Sequence, residues 1–117
     1  MKGLIIYIRR EKLEAVQKVL HQRNVAGFSV ENAEGCGCQK SQIDLENIPF
    51  FPTLEPESHL TPKLRIYTVV PDEQVHTLID DICNAAATAR FGDGKIFVTP
   101  VEDAIRIRTK EHGDIAL

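Results

Sequence analysis

The stretch Phe91-Gly92-Asp93-Gly94-Lys95-Ile96-Phe97-Val98 decides how the second half of the chain is read. It sets two glycines, a carboxylate and a lysine where a loop enters an apolar, strand-forming run. Glycines allow positive φ and close approach of the backbone, exposed N–H groups cradle anions, and Lys95 adds a formal charge. Gly-Asp-Gly is equally a common turn, so this stretch alone leaves turn and phosphate loop both open. Ten residues on, Ile105-Arg106-Ile107-Arg108 alternates apolar and basic. As a strand it turns both guanidiniums to one face and both isoleucines to the other. Any half-buried strand shows that alternation, but two arginines and a lysine so close together suit a polyphosphate.

Working outward, the period of the hydrophobic pattern changes four times. Gly3-Leu4-Ile5-Ile6-Tyr7-Ile8 is a β-branched apolar run that ends at Arg9-Arg10, and reads as a buried strand. From Glu11 to Asn24, Leu13, Val16, Val19 and Leu20 fall at spacings of three and four, which predicts an amphipathic helix ended by Asn24 and Gly27. Gly27 to Glu34 reads as a second strand running into Gly35-Cys36-Gly37-Cys38-Gln39-Lys40. Lys63 to Val70 is a third strand. Pro71-Asp72 then opens a helix carrying Val75, Leu78, Ile79, Ile82, Cys83 and Ala86 on one stripe, with Cys83 expected in the core. The strand Lys95 to Thr99 follows the glycine loop, and a short Ile105 to Arg108 strand closes the pattern.

The order strand, helix, strand, strand, helix, strand is that of an α+β ferredoxin-like βαββαβ sandwich, with residues 1–117 forming a single domain. Two helices cover one face of the sheet, and no residues remain to cover the other. Strands apolar on both sides therefore point to self-association. Between about residues 38 and 62 lies a loop with Pro49, Pro52 and Pro56 and no sustained period, yet with Ile48, Phe50, Phe51 and Leu54. A loop of that length inside a small domain is usually functional, and its apolar side chains suit a partner surface.

The formal net charge of −3 argues against a nucleic-acid partner. The opening apolar run is too short to span a bilayer and is followed, not preceded, by basic residues. No signal peptide or membrane insertion is therefore expected, and the cytoplasm is the expected compartment. Three cysteines, two of them only one residue apart, make no disulfide framework. No serine–histidine–acid spacing or carboxylate pair stands out among His21, His76 and His112 or elsewhere, so no enzyme activity is expected.

Thr88-Ala89-Arg90-Phe91-Gly92-Asp93-Gly94-Lys95-Ile96-Phe97-Val98 followed by Arg106-Ile107-Arg108-Thr109 resembles the carboxyl-terminal signature of the PII signal-transduction proteins, the GlnB/GlnK family, and the likeness runs along the whole chain. The resemblance implies a homotrimer that binds ATP or ADP in clefts between subunits. Gly92, Asp93, Gly94 and Lys95 would come from one subunit and Arg106 and Arg108 from its neighbour. Ser29, Gly35, Gly37, Cys38, Lys63, Thr88 and Arg90 line up with further nucleotide contacts. It also implies 2-oxoglutarate held with Mg²⁺ through Gln39 and Lys63, and a long T-loop that docks on a protein or a membrane transporter. Departures from the family pattern are Cys38 for a usual arginine, Ser41 and Ala89 for usual glycines, and Tyr7 and Tyr67 near the base end. The loop contains no tyrosine, so uridylylation of a loop tyrosine is excluded for want of an acceptor hydroxyl. The rival expectation is a CutA-like trimer that binds metal or responds to oxidation through Cys36, Cys38 and His59.

Overall fold

The computed structural model describes residues 1–36 and 60–117. Its core is a four-stranded sheet of β1 (Lys2–Ile8), β2 (Phe28–Gly35), β3 (Thr61–Val70) and β4 (Gly94–Pro100) in the order β2-β3-β1-β4. Each neighbouring pair is antiparallel, with Ile6 opposite Ile66 on one side and Ile96 on the other. The helices α1 (Leu13–Gln22) and α2 (Asp72–Ala86) are the crossovers, and both pack on one face. This is the ferredoxin-like α+β arrangement expected from the order of elements.

Alternation sorts the strands cleanly. Leu4, Ile6 and Ile8 of β1 and Leu64, Ile66 and Val70 of β3 point to the helices and are buried. They meet Val16 and Leu20 of α1 and Leu78, Ile82 and Ala86 of α2. Thr68, the one polar residue in that row, satisfies its hydroxyl on the Gly27 carbonyl at 2.6 Å. Asn24, in left-handed backbone at φ 56°, stops α1 and lets the Val25 N–H reach the Leu20 carbonyl at 2.9 Å.

The other face carries Ile5, Tyr7, Tyr67, Val69 and Phe97, and no helix among the described residues covers it. Phe97 is 49 % exposed and meets Tyr7 edge-on with ring centres 6.2 Å apart.

Three expectations need correction. The strand expected over Ile105 to Arg108 is reduced to a single antiparallel bridge between Ile105 and His112, with residues 107–109 in a turn. Lys110, at φ 60°, reverses the chain there, and no strand among the described residues runs alongside. Ile105 and Ile107 are 53 % and 94 % exposed, so the alternation does not mark a buried face. Cys83 is exposed rather than in the core, because Ile82 occupies the centre of the stripe and the next residue turns about 100° away. Thr61 and Pro62 belong to β3 rather than to the loop. Pro62 is tolerated there because β3 pairs only with β2 at that point, β1 having ended opposite Leu64.

Candidate functional site

The sheet end where β1 and β2 finish and β3 and β4 begin holds the chemistry. β1 ends at Ile8, and Arg9 follows in extended backbone with only 9 % of its surface exposed. Its guanidinium donates from Nε to Asp93 Oδ1 at 3.0 Å and from Nη2 to the Phe91 carbonyl at 2.6 Å. The other oxygen of Asp93 accepts the Thr88 N–H at 2.7 Å, and the Thr88 hydroxyl donates to Oδ1. One carboxylate thus closes the loop 88–93 on itself and ties it to β1.

The backbone of this loop requires its glycines. Gly92 and Gly94 have φ of 91° and 113°. A Cβ on Gly94 would lie 1.7 Å from the Tyr7 carbonyl oxygen, so any side chain there breaks the β1–β4 pairing. Ala89 adopts φ 61°, a left-handed conformation that an L side chain resists, at the position where the resemblance has glycine.

Lys63, near the start of β3, donates its ammonium to the Gly92 carbonyl. Burial first, and then the charge of Arg9, push its pKa down, with Glu11 and Asp93 opposing. The Asp93 carboxyl is held well below the usual carboxylate range by the hydroxyl and N–H of Thr88 and then by Arg9. Gly35 at the end of β2 lies against the Lys63 stem. Arg90 is exposed and makes a 3.3 Å hydrogen bond to the Thr88 hydroxyl oxygen. Lys95 stands on the uncovered face beside Tyr7, exposed and without a hydrogen bond or ion pair among the described residues. A cavity of about 140 Å³ borders Lys95, Gly94 and the end of α2, too small for a nucleotide.

Of the residues singled out from sequence, Gly35, Lys63, Thr88, Arg90, Gly92, Asp93, Gly94 and Lys95 therefore share one end of the sheet. Ser29 lies further along β2, opposite Tyr67. With Tyr67 and Val69 it lines a second cavity, of about 340 Å³, whose other wall is Ala116 and Leu117. Arg106 and Arg108 follow β4 after it leaves the opposite end of the sheet. Arg106 is paired inside the tail, with Glu111 Oε2 at 2.7 Å and the Ile115 carbonyl at 2.6 Å. Arg108 is exposed and unpartnered among the described residues. Gly37, Cys38, Gln39 and His59 lie outside the described residues. Cys36 is exposed, and among the described residues no three of His, Cys, Asp and Glu cluster as a metal site.

Sequence reading missed Arg9, the residue on which the loop is anchored. Its signal was present: a double arginine directly after a buried strand puts one of the two cations at the end of the sheet, where a carboxylate must meet it. Asp93, expected as a ligand contact, has its carboxylate engaged in shaping the loop.

Together, the topology and the anchored glycine loop define a ferredoxin-like α+β protein with a cationic loop at one sheet end. Residues 1–111 match the family model described as nitrogen regulatory protein P-II. The nitrogen regulatory protein P-II of Azospirillum brasilense is 40 % identical over 117 residues, the full length of both chains. That of Rhodobacter capsulatus is 39 % identical over the same span, and that of Bradyrhizobium diazoefficiens 40 % identical over 113 residues, 97 % of this chain and 96 % of the other. The chain belongs to the nitrogen regulatory protein P-II family and so to a class of signal-transduction regulators. No helix among the described residues is long and apolar enough to cross a membrane.

Proposed function

We propose that this protein is a cytoplasmic homotrimeric sensor of adenine nucleotides. ATP or ADP binds between subunits, and its occupancy sets how the long loop engages a target protein. The observation that carries the reading is the division of labour at the sheet end. Arg9 and Lys63 hold the loop carbonyls and Asp93, while Lys95 has no partner among the described residues and stands on a partly apolar face that no described helix covers. An unpaired cation beside a preorganised glycine loop is suited to an anion, and the uncovered face is suited to a second copy of the chain.

The residues present fit a nucleotide. Lys95 and Arg108 supply charge for phosphates, and the cavity lined by Ser29, Tyr67 and Val69 falls in the size range of small-molecule sites. In one subunit the arginines follow the far end of β4 from Lys95, which agrees with a cleft completed by a neighbour. Lys63 and Gln39 would hold 2-oxoglutarate, and the amide oxygen of Gln39 would suit Mg²⁺, a hard ion that favours oxygen ligands.

ADP at about a hundred times its Kd stabilises a folded protein by about 2.7 kcal/mol, which is about 10 °C in a chain of this size. ADP or ATP should therefore raise the melting temperature of the wild type and raise it far less in Lys95→Ala. No shift at millimolar nucleotide would refute the reading, and a shift with zinc or copper alone would favour the CutA-like one. Titration with 2-oxoglutarate, in the presence of ATP and Mg²⁺, should release further heat.

A further inference from the structure

We infer that Glu111 is an internal competitor for the anion site and holds Arg106 in a capped state until a nucleotide displaces it. The inference rests on the reading of Arg106 as a phosphate contact.

The two tail arginines are not equivalent. Arg106 has Nη1 on Glu111 Oε2 at 2.7 Å and Nη2 on the Ile115 carbonyl at 2.6 Å. Both ends of its fork are thereby taken by this chain's own oxygens, whereas Arg108 has no such partner among the described residues. A guanidinium that is to meet a polyphosphate through its fork must give up one or both contacts. Glu111 matches the charge of the incoming ligand, so the exchange is one anion for another and not the breaking of a neutral contact.

The placement of Glu111 does not depend on its carboxylate. The Arg106 N–H donates to the Glu111 carbonyl at 3.0 Å and the Lys110 N–H to the Arg106 carbonyl at 2.7 Å. That turn keeps the glutamate over the arginine whether or not the side chains pair. The cap also reaches the second cavity, because the tail gripped at Ile115 continues directly into Ala116 and Leu117, which form its wall. Releasing Arg106 therefore loosens the segment that borders Ser29 and Tyr67.

The test is calorimetric titration of the full-length protein with ADP in wild type, Glu111→Gln, Arg106→Gln and the double variant. The glutamine keeps shape and backbone contacts and removes the charge. A half-exposed ion pair of this kind holds its partner by an amount that converts to roughly a two- to five-fold tighter Kd in Glu111→Gln. In the Arg106→Gln background the same change should alter Kd by less than about 1.5-fold, since nothing is left to uncap. Unchanged or weaker binding in Glu111→Gln overturns the inference while leaving the nucleotide site standing. An equal gain in the Arg106→Gln background also overturns it, making Glu111 a simple repelling charge. If neither wild type nor Glu111→Gln takes up ADP, the nucleotide reading fails and the cap with it.

Discussion

Replacing Asp93 with alanine removes the one carboxylate that holds the loop 88–93 together, and the structure sets the size of the effect. Three contacts go: Arg9 Nε at 3.0 Å, the Thr88 N–H at 2.7 Å, and the Thr88 hydroxyl. Hydrogen bonds to a charged group are each worth about 1.5–3 kcal/mol, but these share one acceptor and cannot be summed. The larger cost is the guanidinium left behind, with a side chain only 10 % exposed and, among the described residues, one remaining hydrogen-bond partner, the Phe91 carbonyl. Together these give about 2–4 kcal/mol of destabilisation, or about 8–16 °C in melting temperature at fixed protein concentration. The dependence on pH supplies the check. A carboxyl whose folded pKa lies below its unfolded value stabilises fully above the unfolded value, about 4, and progressively less as pH falls toward the folded one. The gap between wild type and Asp93→Ala should be constant from pH 5 to 8 and narrow below pH 4. A variant melting within about 2 °C of wild type at pH 7 would refute the account. A gap that holds its width down to pH 3 would show that the carboxylate charge is not its source.

Gly94→Ala places a methyl group inside the Tyr7 carbonyl and should cost more than about 3 kcal/mol, seen as loss of cooperative melting by circular dichroism. Ala89→Gly relieves left-handed backbone worth about 1–2 kcal/mol, against about 0.4–1 kcal/mol of added unfolded-state entropy. It should raise the melting temperature by about 2 °C, and a fall would contradict the strain argument. Phe97→Asp sets a charge on the sheet face opposite the helices without touching the helix-side core, and sedimentation velocity should show the proposed homotrimer dissociating while the subunit's far-ultraviolet spectrum is kept.

The fold was legible because the sheet separates its two faces by strict alternation and the helices by spacings of three and four. Leu4, Ile6 and Ile8 with Leu64, Ile66 and Val70 could hardly be read otherwise, and they are buried as a set. The glycine loop was legible for a related reason, since Gly92 and Gly94 sit where only glycine serves. What failed was local pattern without a partner. Ile105 to Arg108 has the alternation of a strand, but a strand needs a neighbour, and among the described residues this segment bridges to its own tail alone. The double arginine signalled a cation at the sheet end, but its pairing with Asp93 was not legible: eighty-four positions separate the two, and no period connects them. A single carboxylate in a turn cannot announce whether it faces a ligand or a buried cation.

Lys63 stands two residues beyond the first residue of β3, and its ammonium ends on the Gly92 carbonyl. The first residues of β3 and the glycine loop thus share one pin. A shift of the Gly92 peptide acts against two cations at once, because Arg9 holds the neighbouring carbonyl of Phe91. The Lys63 ammonium meets that shift first, which ties the register of the glycine loop to the residue two places into β3.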